Sequence, residues 1–263
     1  MDTICLIAAP RTGTNHLCEV LRNFEDLASY HGLFEASGPN GIDEASWPLL
    51  RQLTGIDFAN LRDRALIEFV HARPGAWLDA ATEAAQAQRK RVMSFKLVQG
   101  DLPIETIERE IVSRPGLRLI IVVRRQVDSY VSWRKAVELG RSRGVDTTGM
   151  RLKLDADRFE DWLSQQEGWY SHWRGLLSRR SLPCPVVRYE IDIDIPLERV
   201  LRRFAAAAAV VGVTLKPPPA ITEHGLERQD KAKAVSDKVT NWAEFSREIF
   251  SRGLERRAFG YPL

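Results

Sequence analysis

No apolar run in this sequence approaches the roughly 20 residues that a membrane-spanning helix needs. Cysteine is scarce: Cys5, Cys18 and Cys184 are scattered, odd in number and without Cys-x-x-Cys spacing. That argues against a disulfide framework, and a reduced, cytoplasmic setting is expected. Neither paired cysteines nor a His-Glu-x-x-His run is present, so no metal is expected. The opening residues lack a positive n-region and reach Pro10-Arg11 before an h-region of proper length, so no signal peptide is expected. Excess charge is missing too. Lys and Arg number 38 against 35 Asp and Glu, a net charge of +3, which describes no nucleic-acid sink and names no partner. There is no internal repeat, and only residues 205–209, all alanine, are compositionally simple. At 263 residues the chain can bury a substantial core, and one large domain over 1–263 is expected.

What is present begins at once. A short apolar run, Ile4 to Ala9, breaks at Pro10, passes Gly13, and resumes with Leu17, Val20, Leu21 and Phe24 at helical spacing. This reads as strand, tight loop, helix. The loop, Pro10-Arg11-Thr12-Gly13-Thr14, would aim backbone N–H groups and the positive end of the helix dipole at an anion above the helix N-terminus. Arg11 adds a mobile positive charge. A Walker A loop is excluded: Ala8 stands at the first glycine, and Thr14 and Asn15 occupy the positions of the phosphate-binding lysine and the magnesium hydroxyl. Without those two parts the loop suits a nucleotide donor that needs no Mg²⁺ chemistry. It resembles the 5′-phosphosulfate loop of sulfotransferases, although a plain βα turn also fits this stretch taken alone.

Further strands are expected over 27–35, 91–98, 117–123 and 185–190, with 117–123 an apolar, β-branched run suited to the centre of a parallel sheet. His31 and Glu35 fall at the end of the second strand, where both would approach the anion loop and either could take a proton from a hydroxyl. Lys96 is a charge inside an apolar strand: it points out of the pleat, the commoner outcome, or reaches an anion at the strand end. Helices are expected over 58–90, 101–113, 126–136, 157–177 and 196–211. Asn241 and Glu244 form a helix-start signature, with Asn241 as N-cap of a last helix running to about Gly253. Residues 36–60 and 138–156 have no clear period and are read as segments covering the site. The basic run Arg134, Lys135, Arg141 and Arg143 could attract an anionic acceptor or be a solvated face. The aromatics of 157–177 could stack on a sugar or form core.

Arg124 at a strand end and Ser132, eight residues later in the next helix, can converge on one phosphate through a guanidinium and a hydroxyl. This spacing, with Asp128 and Trp133 flanking it, resembles the 3′-phosphate motif of sulfotransferases. Arg188-Tyr189-Glu190 is similar to a further strand of that family, and Lys231, Lys233 and Lys238 stand in the region of its C-terminal basic loop, Lys238 being the preferred match. The resemblance, most like the bacterial carbohydrate sulfotransferases, implies a P-loop NTPase-like α/β fold with an open, mainly parallel sheet flanked by helices. It implies the donor 3′-phosphoadenosine-5′-phosphosulfate (PAPS) and a small acceptor hydroxyl on a carbohydrate, glycolipid or metabolite. Arg11, Thr12, Gly13, Thr14, Asn15, Arg124, Ser132, Tyr189 and Lys238 would then bind the donor. Arg11 would stabilise charge on the leaving phosphate, with Lys96 a second candidate, and Glu35, or else His31, would be the base. The family places a glutamate directly after its glycine, whereas here Leu33 follows His31-Gly32. A P-loop-type kinase and a catalytically silent module that binds PAPS or its product PAP are the alternatives.

Overall fold

Strand β1, Asp2–Ala8, is buried along nearly its whole length and pairs on both sides. Its neighbours are β3, Val92–Val98, and β4, Leu117–Val123. The edges are β2, Leu27–Gly32, beside β3, and β5, Val186–Arg188, beside β4. The five strands run in the order β2-β3-β1-β4-β5, and every pairing is parallel. The computed structural model describes residues 1–141, 144–218, 220–222, 229–232 and 234–263. Arg143 and Lys233 lie outside the described residues.

Alternation along β1 explains the layers. Ile4, Leu6 and Ala8 face a cluster that includes Leu17 and Leu21 of α1, Thr14–Leu21, and Leu201 and Phe204 of α8, Leu197–Val210. Cys5 and Ile7 face the opposite cluster, with Trp77 and Leu78 of α4, Pro74–Ala87, and Trp169, Tyr170 and Trp173 of α7, Ala156–Arg179. Helices α2, Trp47–Thr54, and α3, Arg64–Ala72, complete that side, with α5, Ile104–Thr106, and the π-helical turn Ile107–Val112 that continues it. A third cluster joins the other end of α7 to α6, Gln126–Leu139, α9, Trp242–Ser251, and α10, Glu255–Phe259. The aromatic face of α7 is therefore core, not an open stacking surface. Among the described residues no helix is long and apolar enough to cross a membrane.

Two elements depart from the sequence expectation because a side chain takes a different partner. Strand β5 stops after Arg188 because Asp192 Oδ2 accepts the Arg188 N–H at 2.8 Å, curling the chain into a π-helical turn over Tyr189–Ile193. Asn241 precedes α9 but makes no side-chain cap. Its amide instead accepts from Leu154 N at 2.9 Å and donates to Leu154 O at 2.8 Å. It thereby joins the segment before α7 to the start of α9. The same two stretches form a parallel bridge at Leu152 and Val239, with Leu152 N donating to Lys238 O at 2.9 Å.

The chain leaves β1 outward to β2, returns through β3, and crosses β1 to begin β4. The connections therefore diverge at the carboxyl ends of the central strands, where an open α/β sheet leaves its crevice.

Candidate active site

The crevice holds a cavity of about 670 Å³ lined by the β1 loop, the start of α1 and residues from the ends of β3, β4 and β5. Its floor is pinned from below. The Ala9 N–H donates to Tyr170 Oη at 2.8 Å, and the same hydroxyl donates to Val122 O at 2.8 Å. Burial pushes the Tyr170 phenol upward, so it stays a neutral donor. Thr12 Oγ1 donates to Ala9 O at 2.9 Å, and Ser129 Oγ donates to Pro10 O at 3.2 Å. The loop is thus held by side chains from α6 and α7 as well as its own threonine.

Arg11 and Gly13 have φ of 70° and 83°, both left-handed. At Gly13 a side chain is also excluded by contact: a Cβ there would lie 2.4 Å from Tyr189 Cδ2. The Tyr189 ring covers the glycine, and the Arg124 guanidinium carbon stands 4.3 Å from the ring centroid. Arg124 Nη1 donates to Arg11 O at 3.1 Å, and its Nε lies 3.9 Å from Glu190 Oε1. Helix α1 starts at Thr14, and Thr14, Asn15 and His16 line the cavity at its positive end.

Opposite Tyr189, Arg11 Nε donates to Ser132 Oγ at 3.0 Å and Arg11 Nη2 to Gln229 Oε1 at 2.6 Å. Lys135, one turn beyond Ser132, is 2% exposed, and Lys238 is 5% exposed. Both ammonium groups approach Asp230. The structure thus brings Arg11, Thr14, Asn15, Arg124, Ser132, Tyr189 and Lys238 to one cavity. Thr12 is buried beneath it.

At the β3 side, Lys96 is 5% exposed. Its Nζ donates to Asn15 Oδ1 at 2.6 Å and lies 2.9 Å from Glu35 Oε1. The lysine therefore takes the rarer of its two expected courses, because a polar loop and a carboxylate wait at the strand end. Glu35 lines the cavity. His31 is not among the described residues that do. It is buried, with Nε2 2.6 Å from Glu19 Oε1 on α1. Burial lowers its pKa while Glu19 acts the other way. Of the two candidate bases, only Glu35 opens onto the crevice.

Asp101 lines the same wall and was not singled out in the sequence. Its Oδ2 accepts the Val98 N–H at 2.8 Å. Burial pushes its carboxyl up to about 6, against the lowering effects of that hydrogen bond and of Lys96. Tyr170, Lys135, Gln229 and Asp230 were also missed as site residues. Lys135 carried a signal as part of a basic run, and Tyr170 as one of the aromatics of 157–177. Among the described residues no group of three or more His, Cys, Asp or Glu could hold a metal ion. What the arrangement can do is bind a polyanion in a cleft lined by fixed cationic and polar side chains, oppose charge developing on it, and offer a carboxylate nearby.

The fold is similar to that of the sulfotransferase domain from the curacin biosynthetic pathway, with a TM-score of 0.51 and 14% identity over 90% of this chain and 82% of that one. Sulfotransferase STF1 from Mycobacterium tuberculosis H37Rv aligns with a TM-score of 0.46 and 14% identity, over 89% of this chain and 74% of that one. The sulfotransferase domain from the Synechococcus PCC 7002 olefin synthase aligns with a TM-score of 0.43 and 16% identity, over 92% and 87%. No protein-family model matches the chain, and no curated protein matches it. The chain has the sulfotransferase fold: one α/β domain with an all-parallel five-stranded sheet flanked by helices.

Proposed function

We propose that the protein transfers a sulfuryl group from PAPS to the hydroxyl of a small acceptor, a carbohydrate, glycolipid or metabolite alcohol. The observation that carries this is the pairing at one crevice of a strand-loop-helix anion site, flanked by Arg11, Arg124 and Ser132, with the Lys96 and Glu35 pair beside it. The fold similarity supports the same reading.

In this reading the donor's 5′-phosphate lies against the loop over residues 10–15 and the N-terminus of α1. Tyr189 and Arg124 flank the nucleotide, and Arg124 and Ser132 serve its 3′-phosphate. The acceptor oxygen attacks sulfur in line. One S–O bond forms to the acceptor as the S–O bond to the bridging phosphate oxygen breaks, leaving the charge on PAP. Cationic groups already fixed beside that oxygen oppose the charge without reorganisation, a role assigned to Arg11 and Lys96. Glu35 takes the hydroxyl proton. Its 2.9 Å contact with Lys96 couples the two roles: when Lys96 turns to the leaving phosphate, Glu35 is released toward the acceptor. A kinase reading is weaker, because Thr14 and Asn15 stand where Walker chemistry needs its lysine and its magnesium ligand.

The test is calorimetric titration of PAP against adenosine-5′-phosphate with wild type and Arg124→Ala. A preference for the bisphosphate that disappears in the variant is expected. Equal weak binding of the two by wild type would reject the donor assignment. Bisphosphate binding with no sulfated product from PAPS, over a broad panel of alcohols, would leave a silent binding module.

A further inference from the structure

Two buried lysines converge on one carboxylate at the α6 wall of the cavity. Lys135 Nζ donates to Asp230 Oδ2 at 2.8 Å and to Thr147 O at 2.8 Å. Lys238 Nζ lies 3.7 Å from the same Asp230 oxygen. Burying an ammonium group is costly unless an anion accompanies it, so these two lysines mark a position built for negative charge. Asp230 is more accessible than either, with 19% of its side chain exposed. The residue before it repeats the pattern, since Gln229 Oε1 accepts from Arg11 Nη2 at 2.6 Å. Two consecutive side chains therefore place oxygens on cations that face the donor cavity. Their backbone is tied to the neighbouring segment through Thr147 N, which donates to Gln229 O at 2.6 Å.

We propose that Lys135 is a further donor-binding residue and that Asp230 is a built-in counter-anion, which the donor's 3′-phosphate displaces from Lys135 and Lys238. This rests on the reading of the cavity as a PAPS site. A phosphate dianion brings two charges and three acceptor oxygens where the aspartate brings one charge and two oxygens, so it is the better partner for paired ammonium groups. Lys135 stands on α6 one turn from Ser132, and the two would hold the same phosphate from one helix face. The aspartate balances the charge of the lysines and holds them in place before the donor binds, and it opposes monoanions too weak to displace it. Lys135 thus contributes to selection of the 3′-phosphorylated nucleotide over its monophosphate.

The experiment is titration of the whole protein with PAP and with adenosine-5′-phosphate, comparing wild type, Lys135→Met and Asp230→Asn, with thermal unfolding of each. Lys135→Met is expected to weaken PAP binding roughly tenfold or more and to change the monophosphate little. Asp230→Asn is expected to tighten PAP several-fold, because the competing charge is gone. A merely structural ion pair would lower the unfolding temperature and change both nucleotides alike, which would overturn the proposal. If Lys135→Met does not fold, Asp230→Asn decides: PAP affinity unchanged or weakened rejects the counter-anion. A wild-type preference for PAP that neither substitution alters rejects this inference alone. Absence of any preference in wild type rejects it together with the PAPS reading.

Discussion

Lys96 Nζ and Glu35 Oε1 stand 2.9 Å apart across the gap between the end of β3 and the loop after β2. Gly32 makes the contact possible: a Cβ there would lie 2.3 Å from Glu35 Cγ, so any other residue would push the glutamate out of its fold-back. The residue before that glycine, His31, turns the opposite way, toward α1. Within five residues, the turn at Gly32 thus separates a carboxylate facing the crevice from an imidazole buried behind it.

Replacing Glu35 with glutamine should lower turnover by about 10²- to 10⁴-fold, the usual worth of a positioned proton acceptor. PAP affinity should change only a few-fold, since the amide still fills the place beside Lys96. Sulfated product formed under saturating donor, together with titration of PAP, separates the two effects. Full turnover in the variant would remove Glu35 as the base.

Asp101 makes a pH prediction. Burial first, and Glu35 in part, raise its carboxyl from the ordinary 3.8 to about 6. The folded protein then binds more protons than the unfolded chain between those values, so this group's contribution to stability falls as pH rises from about 4 to about 6 and levels off above. Asp101→Asn keeps an oxygen for the Val98 N–H and removes the charge. It should stabilise the protein at neutral pH by on the order of 2 to 3 kcal/mol. Denaturant unfolding of both proteins from pH 4 to pH 8 checks this. Parallel stability curves would contradict it.

Gly13→Ala meets two obstacles, a φ of 83° and a Cβ 2.4 Å from the Tyr189 ring. The cost should be roughly 1 to 3 kcal/mol of stability, with nucleotide affinity reduced as the ring moves off Arg124. Adding Tyr189→Ala should restore part of the stability by opening space, but not the affinity. Chemical denaturation and PAP titration of the single and double variants would show whether the two responses separate.

Much of this was legible before folding, because the relevant signals are local. The apolar runs of β1, β3 and β4 specify strands by composition and length, and the Pro10 to Thr14 loop lies within five consecutive residues. Arg124 and Ser132 lie within one strand end and the helix after it. Less accessible were elements whose form depends on which partner a polar side chain takes. Asn241 reads as a cap, yet its amide is taken by Leu154, and β5 is shortened by a carboxylate four residues on. Lys135 reads as a solvated charge because its partners, Thr147 and Asp230, lie 12 and 95 residues away.

By itself, then, the sequence determined an α/β chain with a strand-loop-helix start lacking Walker residues, and an Arg124 and Ser132 pair after its strongest strand. Periodicity and short-range steric preference are properties of neighbouring residues, and they survive reading in one dimension. The tertiary structure alone decided which charges are buried together. It set Lys96 beside Glu35, turned His31 away to Glu19, raised Asp101, and put Asp230 between two lysines. Burial and pairing of charge depend on what the packed helices and the crossed sheet connections bring within a few ångströms, and no spacing along the chain encodes that distance.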